Sequence, residues 1–308
     1  MSQIAVVFPG QGSQYVGMGR EFCAASAQAR EIMAQAEAIS GLPIGRLCLA
    51  GPLDELTLTV NLQPAVVAVD LCAWLALQAA GIAPVAVAGH SLGEYPALVA
   101  AGAIGVEKCL ELVSLRGRLM DREANANPGA MAAIMGLSPE DVARLCAEAG
   151  GVVQPANYNT PQQTVITGAA AAVAQASALA KERGGKAIPL KVSGAWHSPL
   201  MAQAGVEMKA ALAGVAFAPL ACLHAPNVSG EPTRDPARAK DQLRDQLTSP
   251  VRWVQTVAAL IALGVDTFIE AGPKNVLKGL IQKSAPESVR VFNVEDPASL
   301  EKTLAELG

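Results

Sequence analysis

The sequence predicts an α/β protein: a parallel sheet covered by helices on both faces, with a smaller unit inserted into it. Three observations carry this. Short apolar runs alternate with longer segments of helical periodicity, the order that builds a parallel sheet. Beyond residue 129 the order changes to β-α-β-β-α-β, the split βαβ or ferredoxin-like unit. Between the two, Asn125 to Gly129, read NANPG, makes a linker-like break. The expected division is residues 1–124 with 193–308 for the large subdomain and 125–192 for the small one.

In the large unit, Ile4 to Phe8 reads as a strand stopped by Pro9-Gly10. The loop Gly10 to Gln14 follows, then a helix to about Ala38. Gln63 to Ala80 is a long apolar helix ending at Gly81. Val85 to Ala88 is a buried strand breaking at Gly89, with a periodic segment from Leu92 and a further helix from Val106 to about Glu123. In the small unit, Ala130 to Met135, Val152 to Asn157, Gln163 to Thr167 and Lys186 to Val192 are strands. Ser138 to Ala149 is a helix whose Ser-Pro-Glu-Asp start supplies a cap, a first-turn proline and acids. Ala169 to Arg183 is an alanine-rich helix closed by Gly184-Gly185. The large unit resumes near Ser193, with helices at Pro199 to Ala213 and Val251 to Leu263 and strands at Thr267 to Glu270 and Val289 to Val294.

The 308 residues suffice for a large core. No run approaches the ~20 apolar residues of a membrane span, and MSQIAVVFPGQG lacks the basic and apolar regions of a signal peptide. The six cysteines, at 23, 48, 72, 109, 146 and 222, form neither C-x-x-C nor a metal spacing. They read as buried free thiols in a reducing cytoplasm, with no metal site. A net charge of −4 without a basic block argues against nucleic-acid binding.

Gly89-His90-Ser91-Leu92-Gly93 is a G-x-S-x-G pentapeptide in strand–turn–helix context. So sharp a turn strains its middle residue, needs small neighbours, and lifts the Ser91 hydroxyl beside the first amides of a helix, which favour an oxyanion. Serine needs a base. Of three histidines, His90 adjoins Ser91 and points elsewhere, and His224, before Pro226, reads as structural. His197, in the small-residue loop Ser193 to Pro199, is the candidate. The serine-before-histidine order fits the α/β-hydrolase arrangement. Asp241, Asp245 and Asp266 have no distinctive setting as a third member, and a backbone carbonyl could orient the imidazole instead. Arg116 falls inside the apolar stripe Cys109, Leu112, Val113, Leu119 and Met120. A buried arginine must meet an anion, either an internal acid or a substrate carboxylate held by a bidentate fork. The Gly10–Gln14 loop lacks nucleotide-binding spacing; the amide of Gln11 is better placed as a second oxyanion donor.

Together these motifs resemble the malonyl-CoA:acyl-carrier-protein transacylases and the related acyltransferase domains of polyketide synthases. The resemblance runs almost end to end: FPGQGSQ at 8–14, GHSLGEY at 89–95, LRGRLM at 115–120, GAMAAI at 129–134, NTPQQTVITG at 159–168, GAWHSPLM at 194–201, SPVRW at 249–253 and EAGP at 270–273. It implies an α/β-hydrolase-like large subdomain with a ferredoxin-like insertion. It also implies a ping-pong reaction: Ser91 takes the acyl group, His197 is its base, and the Gln11 and Leu92 amides form the oxyanion hole. Arg116 would hold the malonyl carboxylate, and a main-chain carbonyl in SPVRW, at Arg252, would orient His197. Malonyl-CoA and an acyl-carrier protein are the implied partners, coenzyme A thioester being substrate and no cofactor resident; a cytoplasmic monomer serving fatty acid biosynthesis is expected. Arg183, Lys186, Lys191, Lys274 and Lys278 are candidates for a basic carrier-docking surface. Two residues depart from the pattern: Trp196, where phenylalanine is more familiar in synthase domains, and Pro96, where serine or alanine is usual. Open alternatives are an acyl hydrolase, a trans-acting polyketide acyltransferase, a silent carrier-binding scaffold and a malonyl-loading subunit of a malonate decarboxylase.

Overall fold

A computed structural model describes residues 2–308 and contains two sheets. The first is parallel and has five strands: β1 (Ile4–Phe8), β2 (Ala86–Gly89), β7 (Leu223–Ala225), β8 (Thr267–Ala271) and β9 (Arg290–Val294), in the order β7-β2-β1-β8-β9. The second is antiparallel and has four: β3 (Ala130–Met135), β4 (Val153–Thr160), β5 (Gln163–Gly168) and β6 (Lys186–Pro189), in the order β4-β5-β3-β6. With helices Pro139–Ala149 and Ala170–Glu182, the second sheet gives the β-α-β-β-α-β unit expected from sequence.

β1 lies at the centre because its side chains are buried on both faces, as the unbroken apolar run Ala5 to Phe8 demands. It pairs with β2 on one side, Phe8 opposite Gly89, and with β8 on the other. The chain thus leaves β1 toward both edges, and the loops after β1 and β2 meet at the carboxyl ends, where open α/β sheets bind ligands. The small sheet is two-sided by alternation. Ala132 and Ile134 face its own helices with Val142, Leu145 and Val173, whereas Met131 and Ala133 join the main core. Ser138 caps its first helix, accepting from the Asp141 amide at 3.1 Å.

Several elements differ from the sequence reading. The first helical stretch is two helices, Arg20–Ala25 and Ala27–Ser40, because Ser26 is extended and caps the second. Helix Val106–Ala126 continues past the break expected at 125. Helix Thr59–Ala79 is, by length and composition, apolar enough to cross a membrane, contrary to the expectation that no run would be. Thr59, Asn61, Gln63 and Asp70 interrupt its apolar run without lowering its mean hydropathy much. Its most apolar window is 83% buried, and it serves as a core helix. Pro96 sits in the first turn of helix Glu94–Ala100, where its missing N–H costs least, after a 3₁₀ turn at Ser91–Gly93.

Candidate active site

The turn after β2 is as tight as its sequence requires. Ser91 has φ 52°, the left-handed region that non-glycine residues rarely occupy. A Cβ on Gly89 would lie 1.9 Å from the Gly93 carbonyl, and one on Gly93 would lie 2.0 Å from the Phe8 carbonyl oxygen. Only hydrogen fits at either flank. The strain is held by Asn227, which follows β7. Its Oδ1 accepts from the Ser91 amide at 2.6 Å, and its Nδ2 donates to the Gly89 carbonyl at 2.6 Å. Gly10 packs on the His90 carbonyl, and the Phe8 carbonyl accepts from the His90 amide at 3.0 Å. The β1 loop carrying Gln11 is thereby pressed against the turn.

His197 reaches the same point from the loop after the small sheet. It also has positive φ, 60°, and its own carbonyl accepts from Gln154 Nε2 of β4 at 2.8 Å. Ser91 Oγ and His197 Nε2 are 2.7 Å apart. On the other side of the ring, Nδ1 lies 3.0 Å from the Gln246 carbonyl and 3.1 Å from the Ser249 carbonyl. Carbonyls only accept, so Nδ1 carries the hydrogen and Nε2 presents a lone pair to the serine. Burial, and secondarily the Arg116 charge, lower the imidazole pKa to about 3, so it is neutral near pH 7. The Arg252 carbonyl, expected to orient this ring, does not. It accepts from the Thr256 amide at 2.9 Å and Thr256 Oγ1 at 3.0 Å, because Arg252 precedes the first turn of helix Trp253–Ala262. The expected segment does contribute, but through Ser249. Val251 of that segment is zipped onto β4 by bonds with Ala156 and Tyr158.

Arg116 is 1% exposed. Its Nη2 donates to Ser91 Oγ at 3.0 Å and to Gln246 Oε1 at 3.1 Å, its Cζ sits 5.7 Å from the centre of the Tyr95 ring, and its buried Nε has no partner. No carboxylate among the described residues forms an ion pair with it. Glu94 acts on it through its charge but makes no direct bond, and a buried guanidinium with no carboxylate in contact, beside a nucleophile, can take an anion. Ser91, His197, Arg116, Gln11 and Leu92 line one cavity of about 110 Å³ with Met131, Asn157, Leu190 and Val192 of the small unit and its return. Trp196 also lines it. A larger apolar cavity of about 380 Å³, between Phe22, Leu75 and Leu300, is remote from this chemistry.

His90 bonds Asn159 through Nε2 at 2.8 Å and packs on Trp253, and His224 is fully buried with neither ring nitrogen hydrogen-bonded; neither ring meets Ser91 Oγ. Of the basic candidates, Arg183 is paired with Glu148, while Lys274 Nζ reaches the Gly12 carbonyl beside Gln11 at 3.4 Å. Sequence reasoning missed Asn227, Gln246 and Glu94. Glu94 could have been noticed as an acid on the buried start of a helix; the other two carry no local signature.

The family model for the acyl transferase domain matches residues 5–300. The chain belongs to this family, within the malonyl-CoA:acyl-carrier-protein transacylases. Malonyl CoA-acyl carrier protein transacylase of Bacillus subtilis is 41% identical over 311 residues, covering 100% of this chain and 98% of that protein. The crystal structure of an acyl-carrier-protein S-malonyltransferase from Burkholderia pseudomallei is 43% identical, covers 99% of this chain and 100% of that one, and superposes with a TM-score of 0.93. A type II PKS acyl-carrier protein in complex with its malonyl-transacylase is similar too: 37% identical, with a TM-score of 0.94, covering 99% and 100% of the two chains. The fold of this acyl transferase is therefore the two-subdomain fold of its relatives.

Proposed function

We propose that this acyl transferase moves a malonyl group from malonyl-CoA to the phosphopantetheine thiol of an acyl-carrier protein, serving fatty acid biosynthesis, through a malonyl ester on Ser91. One observation carries the acyl preference: Arg116 is buried, is in direct contact with no carboxylate and stands 3.0 Å from the serine oxygen. A malonyl tail supplies a directly bonded carboxylate, and an acetyl tail does not.

The reaction runs in two mirrored halves. Ser91 Oγ attacks the thioester carbonyl while its proton passes to His197 Nε2. The Gln246 and Ser249 carbonyls stabilise the imidazolium from the Nδ1 side. The amides of Gln11 and Leu92 receive the oxyanion. Collapse breaks the carbon–sulfur bond, and coenzyme A leaves with the proton from His197. The carrier's thiol then gives its proton to His197, attacks the ester, and returns Ser91 to its hydroxyl. A thiolate is a good leaving group, so carbonyls suffice where an acid completes other triads. The chemistry calls for no resident cofactor. Residues 125–192 act as a subdomain that walls the cleft and keeps water from the ester. The docked carboxylate also neutralises Arg116, one of the two main causes of the low His197 pKa, so a malonyl donor strengthens its own base.

The test is intact-mass analysis after incubation with malonyl-, methylmalonyl- and acetyl-CoA, then with a carrier protein. A malonyl adduct on the wild type that passes to the carrier, absent from Ser91→Ala, is the expected result. An adduct that persists in Ser91→Ala, or one released only as free malonate, refutes the assignment.

A further inference from the structure

We infer that Glu94 is a positioning residue for malonyl selectivity: it fixes the side-chain amide of Gln246, which fixes the guanidinium of Arg116. This rests on the reading of Arg116 as the partner of the malonyl carboxylate.

Glu94 is the first residue of the helix behind the nucleophile, and it is 0% exposed. Its Oε2 accepts from Gln246 Nε2 at 2.7 Å and from the Asn227 amide at 3.3 Å. Its Oε1 lies 3.8 Å from His224 Nε2 and makes no hydrogen bond. Gln246 Nε2 gives its second hydrogen to the Ser91 carbonyl at 2.8 Å. The amide has one donating and one accepting end. With both hydrogens taken by oxygens, Gln246 Oε1 must face Arg116, where it accepts from Nη2 at 3.1 Å. The reversed amide would set N–H against guanidinium N–H and C=O against two oxygens.

Arg116 itself has no bond to Glu94. A guanidinium is planar, so tethering Nη2 at Gln246 and Ser91 sets the tilt of the whole fork. An incoming carboxylate then meets donors already in place. When the acceptor at Glu94 is withdrawn, a buried N–H of Gln246 loses its partner, the side chain turns, and Arg116 loses its brace. An acetyl group does not use that brace.

The experiment measures the ratio of malonyl to acetyl loading on Ser91, with both CoA thioesters competing in one mixture and adducts read by intact mass. The ratio reports only on folded molecules, whatever fraction they form. Wild type and Arg116→Ala come first; if wild type shows no malonyl preference, or Arg116→Ala keeps it, the reading of Arg116 fails. With that reading intact, three variants test Glu94. Glu94→Gln keeps an acceptor in place and loses the charge. Glu94→Asp keeps the charge and withdraws the acceptor. Glu94→Met loses both. The ratio is expected to stay within about threefold of wild type for Glu94→Gln and to fall about tenfold or more for the other two. An unchanged ratio in Glu94→Asp overturns the inference, as does a Glu94→Gln ratio as low as that of Glu94→Asp. That pair decides even where Glu94→Met fails to fold.

Discussion

Replacing Arg116 with alanine separates the two halves of what this residue does. A malonyl carboxylate on the fork makes two charge-assisted hydrogen bonds, each worth about 1.5–3 kcal/mol in a buried setting. Their loss costs roughly 3–6 kcal/mol, or about 10²- to 10⁴-fold in kcat/KM. The lower end is expected, because water entering the vacated space solvates the carboxylate. Acetyl loading responds differently. Arg116 lowers the His197 pKa, so its removal raises the basicity of the imidazole. It also removes a buried cation that an acetyl donor leaves unpaired. Against this, Ser91 Oγ loses the hydrogen bond from Nη2 at 3.0 Å. These effects oppose one another, and acetyl kcat/KM is expected to move by less than about tenfold in either direction. The assay is the loading half-reaction with each donor, followed by single-turnover formation of the acyl-enzyme. Equal losses for malonyl and acetyl would show that Arg116 braces the serine and recognises nothing.

Two further outcomes follow from the geometry. With His197 depressed to about 3, the base is unprotonated throughout the neutral range. The kcat/KM for loading from a phosphate-free malonyl thioester is therefore expected to be flat from about pH 5 to about pH 8. The measurement belongs in Glu94→Gln, which removes a carboxyl that burial pushes up to about 7, and a break at the ordinary histidine value of ~6.5 there would contradict the burial argument. Gly93→Ala would drive a methyl to 2.0 Å from the Phe8 carbonyl oxygen and is expected to destabilise by about 3 kcal/mol or more, whereas Gly279→Ala, in a helix with open space around it, should stabilise by about 0.5–1 kcal/mol. Urea midpoints of the two variants check the contrast; comparable shifts would mean that the turn can relax.

What the sequence made legible, and what it hid, divides by the range of the interaction. The Ser91 turn is encoded within five residues, because both glycines and the serine answer to one local constraint. Arg116 stood out because helical periodicity placed a charge on a buried stripe, and the structure buries it there. The β-α-β-β-α-β unit was readable because alternation and caps are local. β7 escaped notice, being three residues long at a sheet edge, and with it went Asn227, whose side chain holds the turn from a distant part of the chain. Gln246 is hidden for the same reason: it meets Arg116, Glu94, Ser91 and His197 only once the fold is closed.

The misplaced carbonyl teaches more than the missed side chains. Orienting an imidazole requires a backbone oxygen with a lone pair to spare. A residue at a helix N-cap gives its carbonyl to the first helical turn. Trp253 opens a helix, so the Arg252 carbonyl goes to Thr256, and that was deducible from the apolar periodicity beyond Val251. Ser249 precedes Pro250, which holds it extended, with φ −115° and ψ 153°. Its carbonyl therefore points sideways from the chain, where no helix claims it and His197 Nδ1 stands 3.1 Å away. Gln246 supplies the second oxygen from the last 3₁₀ turn before that extension; its carbonyl accepts from the Ser249 amide at 3.3 Å and turns its other lone pair to His197 Nδ1. A cationic ring formed during acyl transfer is thus steadied by one unclaimed oxygen and one shared oxygen at the seam between a helix end and a proline. Substituting either side chain leaves those oxygens in place, so the device resists the mutations that dismantle an aspartate-based triad.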